Sequence, residues 1–364
     1  MPRLLSIRDF DFVLLGFVLL LSAVSVIEIY SATLHTKYSQ FYHAQLIYIF
    51  IGLALMFLMS LLDYHILLEF SWWGYGIAIA SLLAVTVAGK SVMGARRWIN
   101  IGHGVHFQPS EWVKLVLIVL VARFFASRGG EKLTWGGLLK AMLLVGVPML
   151  LVLKQPDLGT ALTYSPILIA GLLLGGLRAR QAFILLLIFG AAVVPIWHKV
   201  LKPYQKQRLV SFLDADSDPR GHGYQIRQSL IAVGSGGIWG KGVSNGSQTQ
   251  GDFLPISYAD FIFAAFCEEH GFVGAVLVLL LYFLVLMRLI QNAQTASDLA
   301  GSFIVMGVVA VITFQIAVNV GMVLGLMPVT GIPLPLMSYG GSSVLFTFLA
   351  LGMVMNVRMR RFVN

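Results

Sequence analysis

Charge is scarce in this chain. Only 11% of its 364 residues are Asp, Glu, Lys or Arg, whereas soluble globular chains carry about 25%. That shortage, beside 58% hydrophobic residues and a mean hydropathy of +0.85, excludes a soluble enzyme, a disordered chain and a collagen alike. A single cysteine, Cys267, excludes an intrachain disulfide and a Cys-cluster zinc site. No G-x-x-x-x-G-K-[ST] segment and no G-x-S-x-G elbow occurs, so nothing points to ATP hydrolysis or to a serine-hydrolase nucleophile. The eight histidines show no metal-ligand spacing, and no zinc site is expected from them. The formal charge of +9 does not indicate nucleic acid, because the basic residues are scattered between apolar stretches.

What is present is a series of long apolar runs. A helix needs about 20 mostly apolar residues to cross a bilayer. Such stretches occur at Phe12–Tyr30, Ala44–Leu62, Ile66–Ala88, Trp112–Phe125, Leu138–Leu153, Leu158–Leu177, Ala182–Trp197, Phe261–Met287, Ala300–Leu326 and Ser342–Val357. The expectation is an all-α polytopic membrane protein with ten transmembrane helices. The runs are continuous and do not alternate, which excludes a β-barrel.

Ten spans put both termini on one side. Twelve basic residues (Arg3, Arg8, Arg123, Arg128, Lys132, Lys140, Arg178, Arg180, Arg288, Arg358, Arg360 and Arg361) then share the short segments of that side. The opposite short segments hold five: Lys37, Lys90, Arg96, Arg97 and Lys154. The positive-inside rule makes the richer side, and both termini, cytoplasmic. Segment 199–259, between the seventh and eighth spans, becomes a large periplasmic loop within one domain over residues 1–364. It is far longer than an ordinary connection. Tyr224, Ile226, Leu230 and Trp239 make it too apolar for disorder, so function is expected outside the cytoplasm.

Four constellations could carry chemistry. Asp260 opens the eighth span, followed by Glu268 and Glu269. A carboxylate entering a membrane is costly unless it is paired or used. On a continuous helix Asp260 and Glu268 share a face about 12 Å apart, too far to share a proton. Asp260 reads either as a helix N-cap or as a functional acid. Glu268 and Glu269 read as structural, paired with a buried cation. Arg96, Arg97 and Trp98 suit either an anionic head group or an interfacial anchor, and Glu111 and Lys114 are i, i+3 neighbours just beyond them. Asp157, in Lys154-Gln-Pro-Asp-Leu-Gly-Thr160, reads best as the cap of a turn. Arg220, Arg227 and Lys241 accompany glycine-rich turns at 234–237 and 240–242, which serve either phosphate or ordinary tight turns.

Taken in order, these motifs resemble the SEDS (shape, elongation, division, sporulation) family. The match runs through Gly94-Ala-Arg-Arg-Trp-Ile99, Phe107-Gln-Pro-Ser-Glu111 with Lys114, Gln155-Pro-Asp-Leu-Gly-Thr160, and Asp218-Pro-x-Gly-x-Gly-Tyr224. It continues through Gln228-Ser-Leu-Ile-Ala-Val-Gly-Ser-Gly-Gly237, Asp260-Phe-Ile-Phe-Ala264 and Thr330-Gly-Ile-Pro-Leu-Pro-Leu-Met-Ser-Tyr-Gly-Gly-Ser-Ser343. Gly240-Lys-Gly-Val and Gly246-Ser-Gln-Thr-Gln250 look like the elongation member more than the division member. The resemblance implies a ten-helix peptidoglycan glycosyltransferase of the bacterial inner membrane. It would polymerise lipid II on the periplasmic face with a class B penicillin-binding protein (a transpeptidase), membrane lipids and the elongation machinery as partners. The family's essential aspartate maps onto Asp260, its Arg-Trp pair onto Arg97 and Trp98, and its Glu-x-x-Lys onto Glu111 and Lys114. One departure is visible: the family's Leu-Pro-Glu-x-His-Thr is replaced here by Leu254-Pro-Ile-Ser-Tyr-Ala259.

The chemistry so implied needs one carboxylate as general base and cations on a diphosphate leaving group. A glycosidase, in contrast, needs two carboxylates at a defined separation. Asp260 is the expected base, and Arg97, Lys114, Arg208, Arg220 and Arg227 the expected clamp, with a divalent cation (Mg or Mn) as a further candidate. Trp98, Glu111, Asp157, Glu268 and Glu269 are expected to support the site. Two other readings stand beside this one. The first is a lipid II flippase, its route lined by Glu28, Gln315, Asn319, Glu268 and Glu269; the second is a non-catalytic scaffold for the transpeptidase.

Overall fold

The computed structural model describes residues 9–88, 90–92, 95–102 and 105–361, with side chains at 87–97, 99–106, 196 and 200 outside the description. Fifteen α-helices occur among these residues. The first half contains α1 (Phe12–Thr33), α2 (Phe41–Leu61), α3 (Tyr64–Glu69), α4 (Ser71–Ala88), α5 (Pro109–Ala126), α6 (Trp135–Lys154), α7 (Leu158–Leu162) and α8 (Ser165–Leu174). The second half contains α9 (Ala179–Pro195), α10 (Pro203–Leu213), α11 (His222–Ser235), α12 (Ser247–Gln250), α13 (Ile262–Gln294), α14 (Leu299–Val323) and α15 (Gly341–Met359). Every apolar stretch picked out from the sequence falls on one of these helices or on a consecutive pair. Among the described residues, seven helical segments are long and apolar enough to cross a membrane: α1, α2, α6, α9 with its continuation to Lys199, α13, α14 and α15. Helix α4 and the α7–α8 pair are apolar but shorter, and α5 carries Glu111, Lys114 and Arg123.

The all-α expectation needs one addition. Between α4 and α5 the chain makes three antiparallel strands, β1 (Lys90–Val92), β2 (Ala95–Gly102) and β3 (Val105–Phe107), in the order β1-β2-β3. Trp98 pairs with Lys90, and Ile99 with Phe107. Hairpins satisfy their backbone groups locally. The strand also carries Trp98 to a fixed place.

Helices α14, α15 and α5 form the interior. Helix α15 packs along α2, and α14 packs against α13, α5 and α8. Close approach of α15 to α2 depends on Gly352, where a Cβ would meet the Met56 carbonyl oxygen at 2.7 Å. Helix α9 lies at the periphery with Phe183, Leu186, Leu187, Ile188 and Phe189 exposed, the face expected toward lipid. One end of the bundle is pinned by Asp11, which caps α1 through the Leu14 N–H and accepts from Arg288 Nε at 2.9 Å, Arg358 Nη1 at 3.0 Å and Asn292 Nδ2 at 3.0 Å. These arginines belong to the side assigned to the cytoplasm on charge.

Segment 199–259 is not a separate lobe. Its helix α11 packs on α13 and α14, and Ser229 Oγ donates to the Val323 carbonyl at 2.8 Å. The tightest join lies at Gly271, where α13 is broken by φ 65°, ψ −165°, a region open essentially to glycine. The break is bridged from outside the helix. Phe272 and Val273 N–H donate to the Gly237 and Ile238 carbonyls at 2.9 and 3.1 Å, while Lys241 and Gly242 N–H donate to the Glu268 and Glu269 carbonyls at 3.1 and 2.9 Å. The glycine-rich turn therefore mends a helix. The N–H groups of Lys241 and Gly242 are committed here and do not cradle phosphate, which decides between the two readings of that segment.

This packing predicts a large effect from one methyl group. A Cβ at position 271 would lie 2.3 Å from the Gly240 nitrogen and 2.6 Å from the Ile238 oxygen, backbone atoms that cannot swing away. Gly271→Ala should lower unfolding stability by about 1–3 kcal/mol. Gly76→Ala, where a Cβ meets nothing within 4 Å, should be neutral or stabilising. Thermal unfolding of both variants in detergent measures the difference.

Candidate active site

A cavity of about 530 Å³ opens where α5, α7, α10 and α11 face the segments before α13 and α15. Asp260, Glu111, Asp157, Arg208, His222 and Trp98 lie on its wall. Six separate parts of the chain supply them.

Asp260 sits just ahead of α13, whose N-cap position is Phe261. The helix starts one residue later than the capping alternative required, and the Asp260 side chain lines the cavity. Its backbone is fixed from α14: Asn319 Nδ2 donates to the Asp260 carbonyl at 3.0 Å and to the Ile332 carbonyl at 2.9 Å. A single buried amide thus ties the aspartate segment to the segment leading into α15. Across from it, the Oδ2 atom of Asp260 stands 3.6 Å from where a Cβ on Gly331 would be.

Two other carboxylates on the wall are held by close neighbours. Asp157 caps α7, accepting from Thr160 N–H at 3.1 Å and Thr160 Oγ1 at 2.9 Å, and it accepts from Gln108 Nε2 at 2.9 Å. The capped-turn reading of Asp157 was correct, and the same turn forms cavity wall. Glu111, in the first turn of α5 behind Pro109, pairs with Lys114 Nζ at 2.8 Å.

That pair corrects the expected cationic clamp. Lys114 is wholly buried, its ammonium 3.9 Å from the centre of the Phe346 ring. It neutralises Glu111 beneath the wall and does not itself line the cavity. Arg220 is exposed on the outer segment, and Arg227 pairs with Asp216 at 2.8 Å; neither lines the cavity. The side chain of Arg97 lies outside the described residues. Arg208 does line the cavity, with Nη1 donating to the Thr330 carbonyl at 3.3 Å.

Glu268 and Glu269 point away to a different place, so the expectation that they support the site fails for geometric reasons. The Glu268 carboxylate is a hub inside the outer segment. It accepts from Lys241 Nζ at 2.8 Å, Gln248 N–H at 2.9 Å, Thr249 N–H at 3.0 Å and Thr249 Oγ1 at 2.9 Å. Glu268 is therefore paired with a cation, as expected, but Lys241 is partly exposed and not buried. Glu269 instead accepts from the Ser31 hydroxyl. Because Asp260 precedes the helix, it does not share a helical face with Glu268.

Sequence reasoning missed several wall residues. His222 and Gln225 come from the first turn of α11, and burial, with Arg208 nearby, holds the His222 imidazole below its ordinary range. The Ile256–Ala259 departure is also wall: Ile256 and Ala259 line the cavity, and Tyr339 N–H donates to the Tyr258 carbonyl at 3.0 Å. Tyr258, Phe41 and Tyr339 pack as one aromatic cluster, with the Phe41 and Tyr339 rings stacked 4.3 Å apart. Burial, then the neighbouring Tyr38 and Asp260, push the Tyr258 phenol up to about 12, so it stays protonated at neutral pH. The clue available in sequence was the glycine-, proline- and serine-rich row at Thr330–Ser343, which lines one side of the cavity.

The Glu111–Lys114 pair makes a measurable prediction. Removing one partner of a buried ion pair costs about 3–5 kcal/mol, so Lys114→Met should destabilise the fold by that amount in denaturant unfolding. The double variant Glu111→Gln/Lys114→Met should recover most of the loss. A Lys114→Met protein of unchanged stability would contradict the buried-pair assignment.

Comparison with known proteins agrees with the motif order. The sequence profile of the FtsW/RodA/SpoVE family, described as cell cycle protein, matches residues 3–362. The chain is 39% identical to peptidoglycan glycosyltransferase MrdB of Escherichia coli K12, over 85% of this chain and 83% of that protein. It is 31% identical to peptidoglycan glycosyltransferase RodA of Treponema pallidum, over 99% and 100% respectively. Among solved structures, a chain from a peptidoglycan synthase complex that coordinates polymerization and crosslinking superposes with TM-score 0.82 at 31% identity, covering 97% of this chain and 98% of that one. The rod shape determining protein RodA of Thermus thermophilus superposes with TM-score 0.72 at 29% identity and the same coverage. With a profile match across almost its whole length and relatives above 30% identity matched over 83% or more of their own length, the chain belongs to the FtsW/RodA/SpoVE family, the SEDS proteins.

Proposed function

We propose that the chain is a peptidoglycan glycosyltransferase that polymerises lipid II into β-1,4 glycan strands for cell elongation and rod shape. The observation that carries this reading is Asp260 on a cavity wall with Arg208 and Trp98, in a multi-pass membrane chain whose relatives bear that enzyme name. In the proposed topology ten helices span the inner membrane, both termini are cytoplasmic, and the cavity opens to the periplasm.

The reaction is a single displacement. Asp260 takes the proton from the acceptor's 4-hydroxyl as that oxygen bonds to C1 of the donor sugar. The C1–oxygen bond to undecaprenyl diphosphate breaks, and the anomeric centre inverts. The leaving group departs as an anion and needs positive charge rather than a proton, which Arg208 supplies. Glu111 is neutralised by Lys114, and Asp157 accepts from Thr160 and Gln108, which favours transfer with Asp260 as the one base over two-carboxylate hydrolysis. A magnesium or manganese ion fits this donor set in company with substrate, since such ions bind through one or two carboxylates plus phosphate oxygens. Held by Asp260 or Asp157 and the diphosphate, it would add to the charge neutralisation. A class B penicillin-binding protein is the proposed partner, in line with the synthase complex that this fold matches.

Two measurements test the reading. Asp260→Asn keeps shape but cannot accept the proton, and polymerisation of purified lipid II by the complex with its transpeptidase should fall about 10²–10⁴-fold. Near-normal polymer from that variant, or movement of lipid II across vesicles by a wild-type complex that makes no polymer, would overturn the enzyme assignment. For orientation, a cysteine at Ser217 in a background lacking Cys267 should react with an impermeant maleimide added to intact cells without their outer barrier. Labelling only after the inner membrane is opened would reverse the topology.

A further inference from the structure

A second group of polar side chains lies apart from the cavity, where α1 meets the broken part of α13. Glu28, on α1, is fully buried, and neither oxygen of its carboxylate has a hydrogen-bond partner. Glu269, also buried, has Oε1 fixed by the Ser31 hydroxyl and Oε2 without a partner. His270 Nδ1 stands 3.7 Å from Glu28 Oε2, beyond hydrogen-bonding distance, and 3.3 Å from the Phe266 carbonyl. One ligating atom from each of the three residues falls within 4.8 Å of the others.

Two carboxylates and an imidazole facing one another, with three oxygens unpartnered, are unfavourable without a positive charge between them. The neighbouring lysine does not serve, because Lys241 is committed to Glu268. We propose that Glu28, Glu269 and His270 bind a divalent transition-metal ion, Zn²⁺ by preference, that fastens α1 to α13. The imidazole favours a transition metal over Mg²⁺ or Ca²⁺, which take oxygen ligands. Two ligands of a tetrahedral zinc ion lie roughly 3.4 Å apart, so side chains within 4.8 Å of one another need draw in by at most about 1.4 Å. Ligation through Nδ1 replaces the long contact to Phe266.

The support around these ligands fits a structural ion. Ser31, which holds Glu269, accepts the Ser244 N–H at 3.0 Å, and its carbonyl accepts Gln250 Nε2 at 3.0 Å. Outer hydrogen bonds of this kind orient metal-binding carboxylates. They run into the same segment whose Gly237–Gly242 stretch mends α13. An ion here therefore stabilises the outer segment from beneath, without touching the reacting groups.

The test is metal binding by the full chain in detergent, with ZnCl₂ as the probe. Wild-type protein should retain about one zinc per chain after dialysis and elemental analysis, and Glu28→Gln and His270→Leu should each weaken binding at least tenfold. Thermal unfolding supplies a second readout that does not depend on activity. In EDTA, Glu28→Gln should melt above wild type, because it removes one of two facing carboxylates. With Zn²⁺ the order should reverse, wild type rising by several degrees while the variant stays still. Absence of stoichiometric zinc in wild type, affinity unchanged by both substitutions, or uptake of Mg²⁺ without Zn²⁺ would each overturn the proposal.

Discussion

A backbone in hydrocarbon has no water to satisfy its N–H and C=O groups, and unsatisfied ones cost several kcal/mol each. The structure depends on how this is met at Gly271, where α13 loses its own hydrogen bonds. Four backbone bonds from residues 237–242 close the gap, so the outer segment must lie against the bundle. Glu268 strengthens the same join through its side chain, gathering Lys241, Gln248 and Thr249. Once that segment is anchored, α10 and α11 are carried over the end of α14. There they complete the cavity with Arg208 and His222.

The site follows a similar logic of fixed backbone and rationed charge. Asn319 holds the carbonyls of Asp260 and Ile332 together, which sets the aspartate against the Thr330–Ser343 wall. Around it, negative charges are matched locally: Glu111 by Lys114, Asp157 by hydrogen-bond donors, Glu268 by Lys241. Buried charge is tolerable only when so matched. Of the polar residues within the spans that a flippase path would use, Glu268 and Asn319 serve local joins instead. The three-residue group at Glu28 stands out because no such match is visible there.

Much of the fold was legible because hydrophobic length is a local property. Each apolar run became a helix or a consecutive pair of helices, since in a bilayer a single segment must satisfy its own backbone. The small sheet at 90–107 was not legible: β1 and β3 have three residues each, and glycines punctuate the sequence between the strands. The break in α13 was equally hidden, because His270-Gly271 looks like ordinary helix sequence until a second segment supplies the missing hydrogen bonds.

The sequence alone determined the membrane class, the helix positions and the capped turn at Asp157, all set by composition, spacing or short-range hydrogen bonding, while resemblance to the family motifs singled out Asp260. Tertiary structure alone decided which charged residues face one another. It buried Lys114 against Glu111 and Phe346, placed Arg208 on the cavity, turned Arg227 toward Asp216, and sent Glu268 and Glu269 to a separate place. Charge can be counted along a chain, but its effect depends on distance and burial. Residues 28, 269 and 270, or 157, 208 and 260, acquire both only when the helices pack.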